Sequence, residues 1–152
     1  MNTLLKIHED FYELFLKTPV PLFISILNKV NLILADSNDL MRLGLRTVLT
    51  AELNVTIVGE ARNEKELVSQ LAAFGASVVL IDFTSEWFTI DTIQRISSKD
   101  PSLKFLAVTS AQNAQTLVDA LRSGVTSYVK KDCELSEIVD AVRETSRGNK
   151  FF

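Results

Sequence analysis

Apolar residues gather along this chain in short blocks, and their period switches between that of a strand and that of a helix. Residues 30–35 (VNLILA), 77–82 (SVVLID) and 103–109 (LKFLAVT) are almost wholly apolar over a few positions, as expected of strands buried on both faces. Residues 54–60 (NVTIVGE) are short and β-branched, and 126–129 (TSYV) read as a further short strand. Between these blocks the spacing is helical. Leu40, Met41, Leu43, Leu45, Val48 and Leu49 follow Asp36-Ser37-Asn38-Asp39, a run of helix-capping residues. Asn63 caps a segment carrying Leu67, Val68, Leu71 and Phe74, and Gly75 stops it. Residues 88–97 are helical through Ile90, Ile93 and Ile96. Residues 114–123 offer Leu117, Val118 and Leu121 as core positions and close at Gly124. Residues 135–147 turn Ile138, Val139 and Val142 inward, with Gly148 after them.

Five strands alternating with five helices over short links force a parallel sheet, because each crossover carries the chain back over one face. Right-handed crossovers then predict an α/β fold, a doubly wound five-stranded parallel sheet with helices on both faces. The flavodoxin-like strand order 2-1-3-4-5 is the commonest arrangement of that kind. Residues 1–29 stand outside this scheme. Leu4, Leu5, Phe11, Leu14 and Phe15 line one face of a helix that ends before Pro19 and Pro21, and Lys6, Lys17 and Lys29 offset Glu9, Asp10 and Glu13. The expected organisation is an N-terminal extension over 1–29, partly helical or disordered, followed by one domain over 30–152. A docking or dimerisation helix is the functional alternative for the extension.

Composition narrows the function classes. Sixteen Lys and Arg against 19 Asp and Glu leave a net charge of −3, which argues against holding nucleic acid by the chain's own electrostatics. One cysteine, Cys133, and one histidine, His8, can form neither an internal disulfide nor a usual zinc set. His8 falls outside any expected core and reads as a surface residue. A reducing, cytoplasmic setting follows. The most apolar stretch, residues 19–27 (PVPLFISIL), is half of the about 18 residues that a bilayer span needs. Glu9, Asp10 and Glu13 precede it where a signal peptide wants positive charge.

In a parallel sheet, ligands collect beyond the carboxyl ends of the strands. Asp36 stands after the first strand, Asp82 at the end of the third, Thr109-Ser110 after the fourth, and Tyr128 with Lys130-Lys131 at the end of the fifth. Each alone has an ordinary explanation: Asp36 caps a helix, Thr109 forms a turn, Lys131 is a solvated charge. Two carboxylates, two hydroxyls and an ammonium at matching ends of four strands are better explained by one shared site.

At these positions the chain resembles a response-regulator receiver domain, of the kind that precedes a LuxR/NarL-type helix-turn-helix domain. The resemblance runs from Val30 to Phe152. It is carried by LILADSNDLMRLGLRTVL (32–49), IVGEARNEKEL (57–67), VVLIDF (78–83), LAVTS (106–110), ALRSGVTSYVKKD (120–132) and IVDAVRETSRGNKFF (138–152). It implies that Asp82 is the phosphoacceptor, taking a phosphoryl group from a histidine kinase or phosphotransfer protein. It also implies that Asp36 and Asp82 hold Mg²⁺, that Thr109 and Lys131 contact phosphoryl oxygens, and that Tyr128 is the aromatic residue that turns inward on activation. The surface formed by the 114–123 helix, the fifth strand and the last helix would then switch a transcriptional output domain. The resemblance implies a signalling domain rather than an enzyme, any self-dephosphorylation being incidental. A homodimer is a further partner arrangement left open, and contact with DNA is expected only through an output domain outside this chain.

Several positions depart from the family's pattern. The family carries two adjacent acids after the first strand, and here the second is Ser37, a poorer partner for a hard dication. Asp39 is nearby but falls in the first helical turn. After the acceptor the family shows a Met-Pro pair and a glycine, whereas this chain has Phe83-Thr84-Ser85-Glu86-Trp87. These departures keep a second reading open, a degenerate receiver acting through protein contacts without phosphate. A small phosphatase with Asp82 as nucleophile is weaker, because Thr84 stands where such enzymes want a second Asp. A nucleotide-binding module lacks its glycine-rich loop. Cys133 has no evident acid–base partner and reads as inert. Trp87 could pack over the site or mark a contact surface.

Overall fold

Three segments without a polar face form the middle of the sheet. In the computed structural model, which describes residues 3–17, 19, 29–110 and 113–152, these are β1 (Val30–Ala35), β3 (Val78–Ile81) and β4 (Lys104–Thr109). The strands β2 (Val55–Ala61) and β5 (Val125–Lys130) are the edges. Strand order is β2-β1-β3-β4-β5 and every pairing is parallel. Burial follows position. The three central strands are buried almost throughout, while β2 and β5 are only partly covered, as edges between two helical layers must be.

The helices are α1 (Thr3–Lys17), α2 (Asp39–Leu49), α3 (Glu64–Ala73), α4 (Ile90–Lys99), α5 (Ala114–Ser123) and α6 (Leu135–Ser146). Two apolar cores lie on opposite faces of the sheet. On one, Leu32, Leu34, Leu80 and Leu106 meet Leu45 and Leu49 of α2 and Ile138, Ala141 and Val142 of α6. On the other, Ile33, Val79, Ile81 and Phe105 meet Leu67 of α3, Ile93 and Ile96 of α4, and Ala120 of α5. The alternation of side chains along each strand makes this division, since neighbouring residues point to opposite layers. The predicted fold class and strand order are those observed. Among the described residues, no helix is long and apolar enough to cross a membrane.

Local expectations differ from the structure in four places. Val118 and Leu121 are each 39% exposed, and Ala120 is the buried residue of α5, so the small residue and not the larger ones meets the core. Leu40, Leu43 and Val68, counted among the helical apolar positions, are also exposed. Gly75 does not end α3 by a left-handed turn: Phe74 leaves the helix in an extended conformation, and the positive-φ glycines are Gly124 and Gly148. Phe88 precedes α4 and is fully buried, while Thr89 and Thr92 close a reciprocal capping box at the start of that helix. The apolar stretch at 19–27 lies outside the described residues except for Pro19.

Gly124 makes a close approach possible. Its φ is +117°, and a Cβ placed there would lie 2.4 Å from Ser97 Oγ and 2.8 Å from Ser97 Cβ, at the end of α4. Gly124→Ala is expected to destabilise the protein by about 2 kcal/mol through backbone strain and this contact. Urea denaturation checks this as a lower midpoint with an unchanged slope.

Candidate functional site

The sheet's own hydrogen bonding continues one residue past the strands and sets the geometry of the site. The backbone N–H of Asp36 donates to Ala61 O at 3.1 Å, that of Asp82 to Ala35 O at 3.1 Å, and that of Lys131 to Thr109 O at 3.1 Å. Three side chains far apart in sequence are thereby held in register at the carboxyl edge. Asp36, Asp82 and Thr109 are buried, at 2%, 7% and 0% exposure. A carboxylate taken out of water this far needs a partner.

Lys131 supplies that partner for both acids. Its Nζ lies 2.6 Å from Asp82 Oδ2 and 3.4 Å from Asp36 Oδ2. The remaining oxygens are satisfied locally: Asp36 Oδ1 accepts the Asn38 N–H at 2.8 Å. Asp82 Oδ1 accepts both the Thr84 N–H at 2.9 Å and the Thr84 hydroxyl at 2.5 Å. Thr109 Oγ1 in turn donates to Thr84 Oγ1 at 3.0 Å, so a chain of hydroxyls links strands β3 and β4. Burial works to raise the Asp82 pKa, but the Lys131 ammonium and the two Thr84 hydrogen bonds outweigh it and hold the carboxyl below its ordinary range. Burial likewise opposes the charge on Lys131, yet Asp82 and Asp36 keep its pKa above the usual value. Both groups are charged across the neutral range.

The structure therefore brings Asp36, Asp82, Thr109 and Lys131 to one rim. Tyr128 is half-buried on β5 and shares with Thr109, Lys131 and Leu117 the wall of an open cavity of about 570 Å³. Burial and the charge of Asp132 push its phenol pKa up, so it stays neutral. Two residues that sequence reasoning did not place in the site belong to its surroundings. Thr84 is one; a hydroxyl residue two positions after a buried acid can close an Asx-type turn onto it, which was the available signal. Arg42 is the other, and it donates to the Asp36 carbonyl at 2.6 Å while pairing with Asp39. Asp39 is thus exposed and turned to Arg42, not to the two buried acids. Trp87 is 54% exposed, which favours the contact-surface reading over a lid on the site. Burial, with the charge of Glu137 next, pushes the Cys133 thiol pKa up, so it is held protonated.

Among the described residues no group of three or more His, Cys, Asp and Glu side chains gathers closely enough to hold a metal ion. Asp36 and Asp82 present two carboxylates, and Ser37 adds a neutral neighbour. Mg²⁺ is commonly held by one or two carboxylates together with water and phosphate oxygens, so the donor set fits that ion, although Lys131 occupies the same charge position.

A parallel, doubly wound sheet with paired acids, a lysine and a hydroxyl at its carboxyl rim defines a class of signal-receiving domains. The chain belongs to the response regulator receiver domain family, which it matches over residues 32–143. It is similar to the response regulator protein VraR of Staphylococcus aureus, 28% identical over 124 residues that cover 81% of this chain and 59% of VraR. Among solved structures it is similar to the isolated REC domain of RcsB from Salmonella enterica serovar Typhimurium, determined in the presence of phosphomimetic BeF₃⁻. There the TM-score is 0.74 at 25% identity, covering 81% of this chain and 92% of that one. The signal receiver domain of the putative response regulator NarL from Mycobacterium tuberculosis shares the fold, with a TM-score of 0.74 at 24% identity over 80% of this chain and 98% of that one. The chain is a receiver domain of the two-component type, and it spans 59% of the length of the curated relatives it matches.

The Lys131 bridge gives the protein a defined pH response. The depressed Asp82 pKa adds stability that is present above the unfolded carboxylate pKa and is lost as pH falls through the folded one. The raised Lys131 pKa adds stability that is present below the unfolded lysine pKa and is lost as pH rises through the folded one. Lys131→Met is therefore expected to cost about 2 kcal/mol between about pH 5 and pH 9, with the difference from wild type shrinking below about pH 4 and above about pH 10.5. Urea denaturation of both proteins across pH checks it. Thr84→Val should move the Asp82 titration upward, as read by carboxyl-carbon NMR.

Proposed function

We propose that Asp82 is the phosphoacceptor of this receiver domain, taking its phosphoryl group from a phosphohistidine on a histidine kinase or phosphotransfer protein. The single observation that carries this reading is the Lys131 ammonium held between Asp82 and Asp36. A carboxylate oxygen of Asp82 attacks phosphorus, the phosphorus–nitrogen bond of the donor breaks, and the electron pair leaves with the imidazole. The product is an acyl phosphate whose oxygens carry more negative charge than the carboxylate had. Lys131 is positioned to pair with one of those oxygens, and the Thr109 hydroxyl to donate to another once its bond to Thr84 opens. Phosphoryl transfer depends mainly on such positioning and charge neutralisation. Mg²⁺, held by Asp36 and Asp82, would neutralise the remaining charge. Ser37 in place of a second acid makes that site weak.

Movement of Thr109 toward the phosphoryl group leaves room behind it, and Tyr128 on the neighbouring strand borders the same cavity. Tyr128 would turn into that space, and the surface of α5, β5 and α6 would change with it. That surface would act on a transcriptional output domain outside this chain, with DNA contacted only through that domain. We infer a cytoplasmic protein, organised as a residue 1–29 extension before a 30–152 receiver, that is a phosphoacceptor and not an enzyme. A second reading, a degenerate receiver working through protein contacts alone, is favoured by Ser37 and by the absence of a third metal-ligating acid among the described residues.

The test is incubation with acetyl phosphate across a Mg²⁺ titration, read by intact mass. A gain of one phosphoryl group that disappears in Asp82→Asn supports the switch, and no gain at any Mg²⁺ concentration supports the degenerate reading. Ser37→Asp, which restores a second acid, is expected to lower the Mg²⁺ concentration for half-maximal modification by roughly tenfold.

A further inference from the structure

The chain leaving α6 is tied to the outer edge of β5. Gly148, at φ +83°, turns it out of the helix, with the Gly148 N–H on Thr145 O at 3.0 Å and the Asn149 N–H on Glu144 O at 2.9 Å. The Tyr128 N–H then donates to Phe151 O at 2.8 Å. The Ser127 hydroxyl, fully buried, accepts the Phe151 N–H at 3.0 Å and donates to Asn149 O at 3.3 Å. The backbone that an edge strand leaves unpaired is thus covered at Tyr128 by residues of the same chain. Phe151 packs against the core shared with α6, and Phe152 lies on the α5 side. The two rings hold the strand from both faces.

On the α5 side the fold leaves an apolar cavity of about 310 Å³. Its walls include Phe83, Ala107, Leu117, Val125 and Tyr128, and Phe152 lines it while remaining 67% exposed. An apolar cavity of about 150 Å³ already accepts a benzene molecule, so a phenylalanine ring fits here, and burying it is favourable. Tyr128 also borders the larger cavity beside Thr109, which makes its ring a shared wall of the two. The same residue is bonded through its backbone to Phe151, the neighbour of Phe152. A turn of Tyr128 toward Thr109 therefore opens the apolar cavity next to the strand that holds Phe152 in place.

We propose that residues 149–152 are a strap poised to close: as Tyr128 turns toward Thr109, Phe152 seats in the α5–β5 cavity, and the chain beyond α6 thereby follows the state of the site. The coupling rests on the inward turn of Tyr128 proposed above, and the test separates the two. 4-Fluorophenylalanine placed at position 152 alone reads the burial of that ring as the fluorine shift between H₂O and D₂O. Tyr128→Ala removes the shared wall without any phosphoryl group and should abolish most of that shift; an unchanged or larger shift overturns the proposal. In the otherwise unaltered chain, Mg²⁺ with beryllofluoride as phosphoryl analogue should have the same effect. Beryllofluoride that moves the Asp82 and Lys131 NMR signals but not the fluorine overturns the strap and leaves the phosphoacceptor reading standing. Loss of the shift in Tyr128→Ala with no response to beryllofluoride supports the strap and counts against that reading. Amide exchange checks the anchorage. Ser127→Ala should speed exchange at the Tyr128 N–H by about fivefold, with the Lys131 N–H, bonded to Thr109 O inside the sheet, unchanged. A Tyr128 amide unprotected in the parent chain, or indifferent to Ser127→Ala, overturns the proposal.

Discussion

An ammonium wedged between two buried carboxylates governs how the rest of this molecule is arranged. Asp36 and Asp82 end adjacent strands at the same edge, and without Lys131 they would face each other as like charges with little water to screen them. Lys131 reaches them because the β4–β5 pairing runs on to Lys130 and its own N–H bonds to the end of β4. The parallel register is thus what makes the site. A shift of one residue in any of three strands would turn one of these side chains into a core layer.

The hydroxyls around this centre give it a particular character. Where its relatives' pattern carries a second acid, this chain has Ser37, and after the acceptor it has Thr84 in place of a Met-Pro turn. Thr84 binds the Asp82 carboxylate through both its amide and its hydroxyl and joins it to Thr109. The resting acid is held by more donors and fewer neighbouring negative charges than a three-acid cluster would allow. Such a centre depends less on a cation for its stability.

The faces away from the site follow a different logic. Ala120, not a larger residue, is what α5 presents to the sheet, so Val118 and Leu121 stay at the surface. Gly124 then lets the chain pass close to Ser97 as it returns into β5. These contacts set how α5 lies against α4, next to the residues that border the Tyr128 cavity.

Much of this was legible in the chain itself. The apolar blocks at β1, β3 and β4 mark central strands, because only a strand covered on both sides can be apolar at every position. The alternation with helices dictates a parallel sheet, and from it follows the edge where Asp36, Asp82, Thr109 and Lys131 gather. Helix orientation was not legible: Leu117, Val118 and Leu121 have the spacing of a core stripe, yet a small residue between them can approach the sheet more closely than they can. The Thr84 turn had a signal in the spacing of a hydroxyl two positions after Asp82, but its link on to Thr109 and the turning of Asp39 toward Arg42 were beyond sequence, since both depend on how neighbouring elements are packed. Periodicity along one chain records which faces are apolar; the distance at which two faces meet is settled only when both are packed.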